Sequence, residues 1–174
     1  KAEQSTEPNE RVVYYTQTIK NDGDRQVVRP RRGKRSDESI ASYVFCANLD
    51  INTIVVLMPT TLAREVMFLE TSQTHEEVDF FMRLEAAGAR FEFFPQPLSV
   101  YYCDARPDRM SASSDITPSI QWHDSVASYF TPRATRGFRA KVIAPRVATE
   151  GKWWLALGII LSALFTASIR FDDA

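Results

Sequence analysis

THEEVDFFMRLEAAGARFEFFPQPLSV, residues 74–100, reads as a helix with an acidic start followed at once by an aromatic strand. Thr74 takes the N-cap position and Glu77 stands three residues on, the spacing of a capping box. Val78, Phe81, Met82 and Leu84 place bulk on about one face, and Gly88 is where the helix should stop. From Arg90 to Phe94 polar and apolar residues alternate, so Phe91 and Phe93 point one way and Arg90 and Glu92 the other. Pro95 and Pro97 are expected to end that run, with a further strand over Leu98–Tyr102. The arrangement sets an acidic helix start against the open end of a sheet, where the helix dipole and free N–H groups favour negative charge.

Upstream, Arg11–Ile19 and Gln26–Arg29 are β-prone runs around Asn21-Asp22-Gly23-Asp24, a turn signal, and a hairpin follows. Pro30–Lys34 packs three cations into a loop that is either a solvated surface or a phosphate contact. Ser36 opens a helix in which Ile40, Tyr43, Val44 and Ala47 share a face. The apolar run Thr53–Met58 has the length of a strand buried on both faces. A short helix over Pro59–Val66, capped by Thr60 or Thr61, leads to the central segment.

Downstream, Cys103–Ser114 is a polar loop, and loops at sheet ends carry function disproportionately. Thr117-Pro118 signals a helix running to Phe130, and Thr131-Pro132 starts the next one. Pro145 should kink or end it. Trp153–Ile169 carries no charge over 17 residues, at the lower edge of a bilayer span. It is either a packed terminal helix or a membrane contact. The cations before it suit a solvated face or anionic lipid.

The chain has 174 residues, 44% of them hydrophobic and 25% charged, enough for one ordinary globular core with an appendage. A net charge of −1 argues against a nucleic-acid binder with a wide basic face. Cys46 and Cys103 lack metal-ligand spacing, and with no other mark of a disulfide scaffold they point to a reducing, cytoplasmic setting. His75 and His123 have no ligand partners at metal spacing and read as structural, so no metal site is assigned.

Two acids, one residue, an acid and an aromatic, then Arg-Leu, Ala-Gly-Ala-Arg-Phe and Pro-x-Pro-Leu, resembles the family-2 glycosyltransferases of GT-A fold. More weakly, Val12–Thr16 resembles the strand after that family's nucleotide-binding half. Asn52-Thr53 resembles the acceptor-side strand, and Arg109-Met110-Ser111 a loop carrying Arg or His before Ser. The resemblance covers roughly residues 11–115.

It implies an α/β fold: a partial GT-A-like mixed sheet with flanking helices over residues 1–117, then a helical extension over 118–174. It also implies inverting transfer of a sugar from a nucleotide-sugar donor to a glycan or lipid-linked acceptor. Glu77, the second acid of the pair, falls on the general base, and Glu76 on the helix start or the acceptor. A Glu at the base position is one methylene longer than the Asp commoner in the family. Asn52 and Thr53 would bond acceptor hydroxyls, while Arg109 and Ser111 would face the diphosphate, where an Arg offsets charge on the leaving group.

The family holds a divalent cation, Mg²⁺ or Mn²⁺, through an Asp-x-Asp motif after its nucleotide-binding half. No such half precedes Val12 in this sequence, and Asn21–Asp24 is better explained as turn chemistry, so the chain alone is expected not to turn over a nucleotide sugar. Peripheral contact with the inner face of a membrane through residues 133–169 is a further expectation. The rival reading is a non-catalytic interaction module, in which Glu77 is only a cap.

Overall fold

A computed structural model describes residues 11–72, 74–103 and 115–169. Its centre is a mixed four-stranded sheet built around β1 (Val12–Asn21). Along one edge β1 pairs in parallel with β4 (Arg90–Tyr102) over its whole length. The other edge is shared by two antiparallel neighbours. The two-residue β3 (Val56–Leu57) lies against Tyr14 and Tyr15, and β2 (Gln26–Arg29) against Thr18–Asn21. Strands running in parallel need a long crossover. Here it contains α1 (Ile40–Phe45), α2 (Thr60–Val66) and α3 (Glu76–Ala86).

The β1–β2 hairpin forms as its turn residues dictate. Asn21 Oδ1 accepts from Gly23 N (2.9 Å), and Asp22 Oδ1 accepts from Asp24 N (3.2 Å) and Arg25 N (2.7 Å). Two of the three cations of the following loop are held by structural pairs. Arg32 forks onto Glu38 (2.7 and 2.9 Å) and lies over the Tyr43 ring, and Lys34 pairs with Glu85 (2.9 Å). These contacts leave Arg32 and Lys34 engaged within the fold. Gly33 allows the loop to approach the sheet, because a Cβ there would stand 2.7 Å from Phe93 Cβ.

Thr53–Met58 is not the doubly buried strand expected. Asn52 Oδ1 accepts from Ile54 N (3.1 Å), which bends Thr53–Val55 into a 3₁₀ turn. Only Val56 and Leu57 reach β1, and Leu57 is largely exposed. Nor do Pro95 and Pro97 end the aromatic strand. β4 runs through them with two register slips: Pro95 falls in the first, and Pro97 stands opposite Gln17 between the two. The short helix α2 has Pro59 as its N-cap, with no side-chain bond from either threonine.

After the strand come α4 (Thr117–Ser125), α5 (Pro132–Phe138), α6 (Ala144–Thr149) and α7 (Trp153–Phe165). Helix α4 stops at Ser125, short of Phe130, and a 3₁₀ turn over Ala127–Tyr129 replaces the rest. Thr131 caps α5 as its sequence signals, its hydroxyl accepting from Ala134 N (3.1 Å). Pro145 does not end the rod. The preceding turn widens to a π-helical one over Arg139–Ile143, and α6 continues beyond it with Pro145 in its first turn.

The core unites both parts of the chain. Tyr15 packs against Tyr43, Phe91 and Phe93, while Phe45 packs against Trp122, Phe130 and Phe138. Helices α1 and α5 touch almost backbone to backbone. A Cβ on Gly137 would lie 2.7 Å from Phe45 O. No helix among the described residues is long and apolar enough to cross a membrane.

Candidate functional site

The start of α3 differs from a capping box, and the difference defines the site. His75, not Thr74, is the N-cap; it has a left-handed backbone (φ 58°) and makes no side-chain cap bond. That shift leaves Glu77 free of the capping role. Its half-buried side chain reaches instead to the 3₁₀ turn, where Oε1 accepts from Thr53 N (3.2 Å) and from the Thr53 hydroxyl. Two donors on one oxygen fix the plane and direction of the carboxylate. Among the described residues, none bonds Oε2.

Glu76, the first helical residue, is exposed. Together Glu76, Glu77 and Asp79 put three acids in the first turn, where free N–H groups and the dipole favour them. Asp79 plays a different part, being buried and ion-paired to Arg83 Nε (2.7 Å) one turn on. Arg83 also donates to Val66 O (2.6 Å) and Met67 O (2.7 Å), tying α3 to the end of α2. The i, i+4 spacing of Asp79 and Arg83 is the sequence signal that could have disclosed this tie.

Of the assigned residues, Glu77 and Thr53 come together. Asn52 is adjacent, but its side-chain oxygen is spent on the cap of its own turn. Arg109 and Ser111 lie outside the described residues.

Two open grooves flank the helix start. One, of about 260 Å³, is lined by Ser72, Thr74, Asp79, Gln121 and Trp122 among others. The other, of about 420 Å³, runs past His75, Val78, Lys141 and Arg146. Glu77 lines neither; it projects toward the 3₁₀ turn.

His75 and His123 serve the aromatic core. His75 Nε2 lies 3.0 Å from the Ser119 hydroxyl, and its ring packs on Trp122. Burial, with a smaller contribution from the Arg146 charge, brings its pKa down to about 4. His123 stacks on Phe138 at 4.9 Å.

The described residues do not suit a divalent cation. No group of three His, Cys, Asp or Glu among them could hold one. The Asp22 oxygen that an Asp-x-Asp site would need is committed to turn amides. Cys46 and Cys103 are both free thiols.

No protein-family model, curated protein or solved structure matches this chain.

Proposed function

We propose that this chain is the acceptor-side half of an inverting glycosyltransferase, with Glu77 as its general base. The observation that supports the reading is the meeting of Glu77 with Thr53. The two residues lie on separate segments, assigned separately to the base and to the acceptor side, yet one carboxylate oxygen joins them. One oxygen is anchored and the other is left for a substrate hydroxyl.

In the proposed reaction an acceptor hydroxyl attacks the anomeric carbon of a nucleotide sugar. The hydroxyl oxygen forms the new glycosidic bond as the bond from that carbon to the diphosphate oxygen breaks, which inverts the centre. Glu77 Oε2 takes the hydroxyl proton, and the nucleoside diphosphate leaves with the bonding pair. A positioned base of this kind supplies about 10²- to 10⁴-fold in rate. Glu76, exposed beside it, would meet the acceptor's outer hydroxyls. Any divalent cation would come with a nucleotide-binding half, because the acids described here do not make its site.

The clamp on Oε1 also favours a second reading. A carboxylate held by two donors can simply tie a turn to a helix, as it would in a non-catalytic interaction module. Titrating the chain with mono- and disaccharides and lipid-linked acceptors, followed by amide NMR, separates the two. Saturable shifts confined to Thr53, Ile54 and residues 76–78 are expected under the enzyme reading. No perturbation there by any acceptor would leave the structural tie as the better account.

A further inference from the structure

The helix α7 leaves most of its large apolar side chains exposed. Ala156 and Ala163 are buried against the protein and Ile159 and Ile160 pack partly on the core, whereas Trp153, Trp154, Leu155, Leu157, Leu161 and Phe165 are exposed. Trp154, Leu157, Leu161 and Phe165 recur at helical spacing along one exposed face, with Trp154 and Phe165 each 86% exposed. Trp153 and Leu155 widen that face. A contiguous apolar surface of this kind marks an interaction site rather than ordinary solvent exposure.

The cations beside it indicate which kind. Of the six Lys or Arg between Thr131 and Ile169, Lys141 turns into the fold onto Val44 O (2.9 Å), Arg146 donates to Ser119 Oγ (3.3 Å) and Lys152 pairs with Glu150 (2.8 Å), whereas Arg136 and Arg139 stand beside α7. Arg136 and Arg139 line an open groove of about 290 Å³ together with Trp154, Leu155 and Gly158. Arg139 is exposed and has no ion pair among the described residues. Arg136 donates from its Nε to Ser168 Oγ (3.1 Å), its one side-chain bond among the described residues. Guanidinium groups next to indole and aliphatic side chains match the boundary between phosphate headgroups and acyl chains. At 13 residues α7 is about 20 Å long, well short of the ~30 Å hydrocarbon layer, so it suits lying along the boundary and not crossing it.

We propose that α7 lies in the surface of an anionic phospholipid bilayer. Trp154, Leu157, Leu161 and Phe165 enter the acyl boundary, and Arg136 and Arg139 contact headgroup phosphates. The opposite face of α7 stays packed on α5 and α6, so the rest of the domain is held close to the membrane. This inference is independent of the glycosyl-transfer reading, since it uses none of the residues around Glu77.

The test is partition of the 174-residue chain onto phosphatidylcholine vesicles with and without phosphatidylglycerol. Binding at least about tenfold tighter to the anionic vesicles, weakened by salt, is expected. Arg139→Gln should lower that preference about fivefold. Trp154→Ser with Phe165→Ser should abolish binding while leaving the far-ultraviolet circular dichroism unchanged, because both side chains are solvent-exposed. In a Trp122→Phe background, brominated lipid should quench the remaining tryptophan emission. Equal partition onto both vesicles, no partition at all, or a self-association removed by the serine pair without lipid binding would each overturn the proposal; the last would assign the face to a second copy of the chain.

Discussion

Glu77 and Thr53 are joined twice, through the backbone N–H at 3.2 Å and through the hydroxyl, both donating to the same carboxylate oxygen. A first-turn carboxylate would ordinarily serve its own helix. This one crosses 24 residues of sequence to hold a turn beside β1.

Removing the hydroxyl leaves one of the two bonds. Thr53→Val should cost about 1–2 kcal/mol in urea denaturation, below the ~1.5–3 kcal/mol of a hydrogen bond to a charged group because the pair is only half-buried. Thr53→Ser should stay near the parent protein. Equal stability of the valine and serine variants would mean that the bond contributes nothing to the fold.

Asp79 is buried and Arg83 is its ion-pair partner. Arg83→Met removes that partner and also the donors to Val66 O and Met67 O, leaving a carboxylate stranded in the interior. A loss of about 3–5 kcal/mol is expected, read as a fall in the urea midpoint. The double variant Asp79→Leu, Arg83→Met should recover part of it, because the stranded charge is gone.

Gly137→Ala places a methyl group 2.7 Å from Phe45 O, a backbone atom that cannot swing aside. The α1–α5 contact must open, at a cost of about 1–3 kcal/mol. Gly158→Ala, which meets nothing within 4 Å, serves as the control and should hold or raise the melting temperature.

His75 gives the fold an acid-sensitive component. Its folded pKa, about 4, lies below the unfolded value of 6.5, so folding favours the neutral ring. The stabilisation is fully present above pH 6.5 and is lost as pH falls through about 4. Ser119 and Arg146 are the polar and charged groups around the ring, and Trp122 and Phe138 cover its faces. The expected change is on the order of 3 kcal/mol across that window, and His75→Gln should flatten it. An unchanged acid slope in His75→Gln would place the sensitivity elsewhere.

The elements written in strong local signals are legible in the sequence. The Asn21–Asp24 turn, the stop at Gly88 and the Thr131 cap each depend on one or two residues whose backbone preference settles the matter. The extent of the strand in Thr53–Met58 is not legible, because an apolar run looks the same whether two neighbours cover it or one. The bulges of β4 and the π turn before Pro145 depend on register and tertiary packing, which periodicity does not carry. At the start of α3, the acidic first turn is legible and the bond from Thr53 to Glu77 is not. A capping spacing predicts a local bond, and the left-handed His75 displaces the helix start by one residue.

The most direct test joins this chain to a nucleotide-binding half and compares Glu77 with Glu77→Gln in sugar transfer. Glutamine still offers Thr53 an acceptor oxygen, so the turn should remain tied and the melting temperature nearly unchanged. The account predicts that kcat falls by about 10²- to 10⁴-fold while KM for the acceptor moves little. Transfer by the glutamine variant at the parent rate, with the fold intact, would contradict it.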